Sequence, residues 1–277
     1  MKNPLNRLII NLCPTGMLPT KEFCPNVPIS AKEIALDVKR CYELGVSMVH
    51  LHARNSKEEP VWESSHYSEI IQNIKLYVPD MITVVTTSGR NWSELEYRSD
   101  SLSADPKPDM GSLTLGSLNF PKQASINPPD IIKRLLSLMT EKGIVPELEI
   151  FNTGMINFAH YLISKDLLKP PYYFNLILGS LGSASLNATN LAAMTSSLPL
   201  DSTWSIGGIG RYQLAANTMG IALGGHVRVG LEDNPYLDWT KKTDASNPRL
   251  LERIIKIAKE FGREVATPSE ARDIIGL

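Results

Sequence analysis

The chain has 277 residues, of which 43% are hydrophobic and 21% charged, with a formal net charge of −1. That composition supplies a large core, and the near-neutral balance gives no reason to expect nucleic acid or an anionic membrane surface as a partner. Cys13, Cys24 and Cys41 lack CxxC spacing, so neither a disulfide framework nor a cysteine zinc site is expected. Residues 1–7 hold no long apolar leader core and no run reaches 18 apolar residues, so the expected location is the cytoplasm.

In chain order, short apolar runs alternate with amphipathic ones. A strand is expected at 8–12. A helix follows from Ser30, where Glu33 completes a capping box, and stops at Gly45. A second strand spans 46–52, a helix 65–77 and a third strand 81–86. The polar stretch 88–109 is too long for a plain connection and reads as a functional lid. A fourth strand is expected at 111–116, then a helix capped by Asn127 with Pro128 at its first position. The remaining strands fall at 148–151, 173–178, 203–206 and 226–231. The helices between them lie at about 156–167, after an Asn187 cap, and at 212–223. Asn247-Pro248 opens a helix ending near Gly262, and Thr267-Pro268-Ser269-Glu270 is a second capping box. Eight strands alternating with helices predict a single-domain α/β chain, a (β/α)₈ TIM barrel over 1–277. A doubly wound sheet would show a glycine-rich dinucleotide turn after the first strand, and Cys13-Pro14-Thr15-Gly16 is not one.

Barrel active sites sit at the C-terminal strand ends, and the polar residues of this chain gather there. The second strand ends in Val49-His50-Leu51-His52-Ala53-Arg54. Residues i and i+2 of a strand share a face, so both imidazoles can reach one metal ion. The eighth strand reads Gly225-His226-Val227-Arg228-Val229-Gly230-Leu231-Glu232-Asp233-Asn234. Alternation puts His226, Arg228 and Gly230 on one face, with Glu232 on the same parity at the end. His50, His52 and Glu232 are the expected zinc ligands, a set that leaves a position for water or substrate. His226 competes, but its depth favours a structural hydrogen bond. His66 and His160 fall in helical stretches. Gly207-Gly208-Ile209-Gly210 and Gly224-Gly225 read either as phosphate-cradling backbone or as tight packing, and Arg211 either as an anion contact or as a turn cap.

These segments, together with Gly116-Ser117-Leu118-Asn119-Phe120, Pro146-Glu147-Leu148-Glu149 and Trp204-Ser205-Ile206-Gly207-Gly208, resemble the β-keto acid cleavage enzyme family over nearly the whole chain. The resemblance implies a zinc-dependent TIM barrel that is usually a homotetramer. It also implies a reaction in which a β-keto acid and acetyl-CoA give acetoacetate and a new acyl-CoA thioester. Carried across, His50, His52 and Glu232 hold Zn²⁺, and Asp233 with Arg228 forms the proton-handling pair. Thr86, Thr114, Ser117 and Asn119 become substrate contacts. Arg54 is expected either to bind a substrate carboxylate or to hold acidic groups in place.

Two departures bear on the substrate. The turn Thr86-Thr87-Ser88-Gly89-Arg90 lacks the paired glycines common in relatives. Met17-Leu18-Pro19 is apolar where an enzyme acting on an aminated keto acid is expected to carry an acid. An uncharged or apolar β-keto acid is therefore expected. The alternative is a metal-dependent hydrolase of the amidohydrolase type. That pattern places HxH on the first strand and needs further histidines on strands five and six, where this chain has Glu149 and Asn175. A metal-stabilised assembly protein would need a fourth good ligand.

Overall fold

In the computed structural model, which describes residues 7–277, eight parallel strands close on themselves in chain order. They are β1 (Ile10–Leu12), β2 (Met48–Leu51), β3 (Ile82–Val85), β4 (Met110–Thr114), β5 (Val145–Ile150), β6 (Tyr172–Leu178), β7 (Ser202–Gly208) and β8 (His226–Val229). β8 pairs back onto β1 through Val227–Ile10 and Val229–Leu12. The helices are α1 (Ala31–Glu43), α2 (Ser64–Tyr77), α3 (Leu95–Asp100), α4 (Pro129–Lys142), α5 (Thr153–Ser164), α6 (Ala188–Ser196), α7 (Gln213–Ala222), α8 (Asn247–Glu260) and α9 (Pro268–Ile275). The predicted barrel is thus the observed fold. Residues 1–6, on which part of the leader expectation rests, lie outside the described residues.

Two apolar regions hold this arrangement. The larger fills the shell between strands and helices, where α1 contributes Ile34, Ala35, Val38 and Cys41 from one face. The smaller lies inside the barrel at the N-terminal strand ends. There Ile9, Met48, Ile82, Val84, Met110 and Tyr173 pack against Ala266, Ala271 and Ile275. The short C-terminal helix α9 therefore closes the barrel floor. Its start is fixed by the predicted capping box, with Thr267 and Glu270 each accepting from the other's backbone N–H.

Local differences from expectation have clear causes. Asn127 does not cap α4; Pro128 holds the cap position. The Asn127 side chain instead accepts from Arg98 Nη2 at 2.7 Å and donates to Gly116 O and Ser125 Oγ. Residues 88–109 are not an open lid. They contain α3, and Arg98 ties them to the rim by donating to Thr87 O, Ile126 O and Asn127. β5 starts three residues early and α5 follows directly from an Asn152 cap. β8 ends at Val229, so Glu232 and Asp233 belong to the turn beyond it.

His226 is a floor residue. Ile9 N–H donates to its Nδ1 at 3.0 Å, and burial pushes its pKa down to about 3, with Arg263 adding to the effect. The unfolded imidazole titrates near 6.5. Below that pH the unfolded chain binds a proton that the folded one refuses, so stability falls as pH drops from about 6.5 toward 3. The limiting contribution is about 1.4 kcal/mol per pH unit. A His226→Gln variant is expected to show a shallower acid slope by about that amount in urea unfolding between pH 6 and 4; equal slopes would contradict the assignment.

Candidate metal and catalytic centre

β2 delivers His50 within the strand and His52 just beyond it. Their ring centroids lie 5.3 Å apart, and both are nearly inaccessible to solvent. Glu232 comes from the turn after β8. Its backbone N–H is held by Cys13 O at the end of β1, and His52 Nε2 lies 3.3 Å from its Oε1. One donor atom from each of His50, His52 and Glu232 lies within 4.8 Å of the others. The close approach of β8 to β1 requires Gly230, where a Cβ would sit 2.0 Å from Cys13 O. Gly16, at φ +63°, leaves room for Glu232 in the same way, since a Cβ there would meet Glu232 Cγ at 2.5 Å.

Behind His50 stands a buried polar layer whose role no local sequence pattern reveals. Glu147, on β5, is wholly buried. Its Oε1 accepts from Asn11 at 2.5 Å and from Asn175 at 3.1 Å, and its Oε2 lies 2.7 Å from His50 Nδ1. Ser205 donates to Asn175 Oδ1 at 3.0 Å, completing the layer. Burial opposes charge on both partners, yet the pairing wins: His50 is raised above its ordinary pKa and Glu147 lowered below its own. With Nδ1 given to Glu147, Nε2 is the imidazole atom free to bind a metal. One donor atom from each of His50, Glu147 and Glu149 also lies within 4.8 Å of the others. Glu147 is already saturated by hydrogen bonds, however, so it orients His50 rather than competing for the ion.

Arg228 faces the other side of the cluster. Its Nε donates to Asp233 Oδ2 at 2.9 Å and its Nη2 to Glu232 Oε1 at 2.6 Å, and Nη1 lies 3.8 Å from Glu149 Oε1. Burial opposes ionisation of Glu232, but Arg228 and the histidines hold it well below the ordinary carboxylate range. Burial raises Asp233 and Glu149 instead. Glu149 accepts from Thr114 Oγ1 at 2.6 Å. Among the described residues, Glu232 Oε2 and Arg228 Nη1 are buried without a hydrogen-bond partner. A carboxylate oxygen left bare beside two imidazoles suits a divalent cation, and the donor set of two histidines and one carboxylate matches a catalytic zinc site.

His52 and Glu232 of the cluster line the floor of a cavity of about 610 Å³ with Glu149, Arg228 and Asp233, while His50 is buried and does not line it. Thr86 and Thr114 line it as expected. Ser117 and Asn119 do not: Ser117 Oγ accepts from Asn127 N–H at 2.8 Å, and both side chains lie outside the cavity wall. Arg54 does not face substrate either. It donates to Thr15 O, Gly16 O and Pro19 O, clamping the arm after β1. The glycine clusters are packing features. A Cβ at Gly208 would meet Tyr212 O at 2.5 Å, and one at Gly225 would run into the Trp204 ring, at the opposite end of the barrel from the site. Arg211 bonds Tyr212. His160 bonds Ser197 O on the outer shell.

A family model described as beta-keto acid cleavage enzyme matches residues 7–277. The chain belongs to the β-keto acid cleavage enzyme family. This cleavage enzyme is 36% identical over 275 residues to a 3-keto-5-aminohexanoate cleavage enzyme of Fusobacterium nucleatum, covering 99% of both chains. It is 37% identical over 273 residues to a 3-oxoadipate:acetyl-CoA acetyltransferase of Cupriavidus necator, covering 97% of this chain and 94% of that one. A solved structure, the ternary complex of ObcA with C4-CoA adduct and oxalate, superposes with a TM-score of 0.79 at 21% identity. The match covers 91% of this chain and 68% of that one, and shows the shared fold.

Metal analysis of the purified cleavage enzyme tests the donor assignment. The His50→Ala variant is expected to lose stoichiometric metal. Glu147→Gln should keep the fold and bind metal about 10- to 100-fold more weakly, as when an orienting partner is removed. Full metal content in His50→Ala would remove that residue from the ligand set.

Proposed function

We propose that this enzyme is a zinc-dependent acyltransferase that converts a β-keto acid and acetyl-CoA into acetoacetate and a new acyl-CoA thioester. The observation that carries the reading is the convergence of the His50–His52–Glu232 donor cluster, of which His52 and Glu232 line the cavity, with the Arg228–Asp233 pair on the same cavity floor. The relatives named as acetyl-CoA-dependent transferases support acetyl-CoA as the co-substrate. When bound, a divalent metal supplies Lewis-acid polarisation of a keto oxygen. Two imidazoles and a carboxylate accept several such ions, so zinc rests on the three-ligand pattern and the resemblance.

The residues of the chain then handle protons and charge. Asp233 removes a proton from C2 of the β-keto acid, the carbon activated by the flanking carbonyls. Arg228, always cationic, keeps Asp233 placed and offsets negative charge as it develops. The C2 carbanion forms a bond to the acetyl carbon of acetyl-CoA, and CoA leaves as a thiolate. The thiolate attacks the original keto carbon, the bond between that carbon and C2 breaks, and Asp233 returns its proton to the acetoacetate carbanion. Atoms and charge balance with no outside oxidant. Thr86 and Thr114 line the wall where the substrate's polar groups would lie.

No described helix is long and apolar enough to cross a membrane. The three free, buried cysteines fit a reducing compartment and support a cytoplasmic location. A homotetramer follows from the resemblance and is checked by sedimentation. The activity test is mass detection of acetoacetate and a new thioester from acetyl-CoA and a panel of β-keto acids. Asp233→Asn is expected to lose about 10²- to 10⁴-fold in kcat while retaining metal. Metal-loaded enzyme that forms no thioester with any keto acid would refute the proposal.

A further inference from the structure

Two cationic side chains that line the cavity have no part in the chemistry above; Lys122 is exposed to solvent, whereas Arg90 is half-buried. Arg90 follows β3 and lines the cavity with Ser88 and Phe120. Its guanidinium carbon lies 3.6 Å from the centre of the Phe120 ring, so one face is covered and the N–H edge is left to the cavity. Its Nε is buried without a hydrogen-bond partner among the described residues, and its backbone N–H donates to Ser88 Oγ at 3.3 Å. The carboxylates lining the cavity are otherwise engaged. Glu232 and Asp233 are held by Arg228, and Glu149 by Thr114. A guanidinium remains cationic at any working pH, and leaving it partly desolvated without an anion is costly. The free fork matches a carboxylate.

Three anions could meet it: the C1 carboxylate of any β-keto acid, a second carboxylate at the far end of the substrate, or a CoA phosphate. The charges of Glu232, Glu149 and Asp233 all act on Arg90, which places it within electrostatic reach of the cavity floor. The phosphates of CoA lie at the far end of the pantetheine arm from the reacting thioester, so they are the poorer match. Between floor and mouth the wall is apolar, with Leu18, Phe120, Leu181 and Ile209, and it suits a short methylene chain. Leu18 alone points to an uncharged substrate, and Arg90 on the same cavity wall points instead to an anionic one.

We propose that Arg90 is a specificity residue that pairs with a second, distal carboxylate, so that the preferred substrate is a 3-oxo dicarboxylic acid. This rests on the cleavage reading above and narrows it. An apolar Leu18 together with an unpaired Arg90 disfavours a cationic tail and favours an anionic one.

The test compares 3-oxohexanedioate with 3-oxohexanoate, which has the same length and lacks only the distal carboxylate, and with 5-amino-3-oxohexanoate. Acetyl-CoA is the co-substrate, with metal-loaded wild type, Arg90→Met and Arg90→Lys. Wild type is expected to prefer the dianion by at least about tenfold in kcat/KM, the scale of one charge-assisted hydrogen bond. Arg90→Met should raise KM for the dianion about 10- to 100-fold with little change in kcat, and move the monoanion by less than threefold. Arg90→Lys should restore part of the preference. Equal losses on dianion and monoanion would overturn the proposal in favour of the C1 carboxylate. A raised KM for acetyl-CoA alone would overturn it in favour of a CoA phosphate. Should Arg90→Met fail to fold, a wild-type dianion-to-monoanion ratio near one overturns it unaided. Absence of thioester from all three acids would instead sink the cleavage reading itself.

Discussion

A single buried carboxylate organises the upper half of this barrel. Barrel interiors are ordinarily filled by branched aliphatic side chains. Here that filling stops midway, and Glu147 sits wholly buried above it. An unpaired charge in that position would be strongly destabilising. Asn11, Asn175 and His50, from three other strands, remove the problem together. Because an ionised carboxylate can only accept, His50 carries its proton on Nδ1, and Nε2 is presented upward in a fixed orientation. The direction in which His50 faces is therefore set by a residue on the far side of the barrel.

Arg228 plays the complementary part. Three carboxylates crowd the cavity floor, and like charges at such separations would repel and resist ionisation. One guanidinium contacts Asp233 and Glu232 directly and lies near Glu149. It draws the carboxylates apart in character, holding Glu232 ionised while burial lifts Asp233 and Glu149. A carboxylate suited to a cation and one suited to accept and return a proton thus stand on adjacent residues of one turn.

What the sequence disclosed follows how locally each feature is encoded. The two-residue spacing of His50 and His52 and the two capping boxes are written in neighbouring residues, and each appears in the structure as read. Glu232 reaches the cluster as expected, but from the turn after β8 rather than by strand parity with Arg228. Features that depend on contacts across the barrel were not legible. Asn127 looked like a helix cap because Pro128 followed it, yet Arg98, 29 residues earlier, claims its side chain. Ser117 looked like a rim contact but is consumed by a backbone N–H of a neighbouring ribbon. Glu147 and Glu149 share a strand and a parity, and nothing in that strand distinguishes the one that orients His50 from the one that meets Thr114. The closing of the barrel floor by α9 likewise depends on packing that no local pattern reports.

The arm after β1 is latched in an economical manner. Arg54 grips residues 15–19 through carbonyl oxygens alone, and Gly16 is where that arm passes against Glu232. The latch is indifferent to which side chains the arm carries. Leu18, largely exposed at the cavity mouth, can be exchanged without loosening its support. Descendants of such a chain could therefore sample new substrates by drift at this position while the barrel and its chemistry stay intact, so diversification and folding are uncoupled at one short segment.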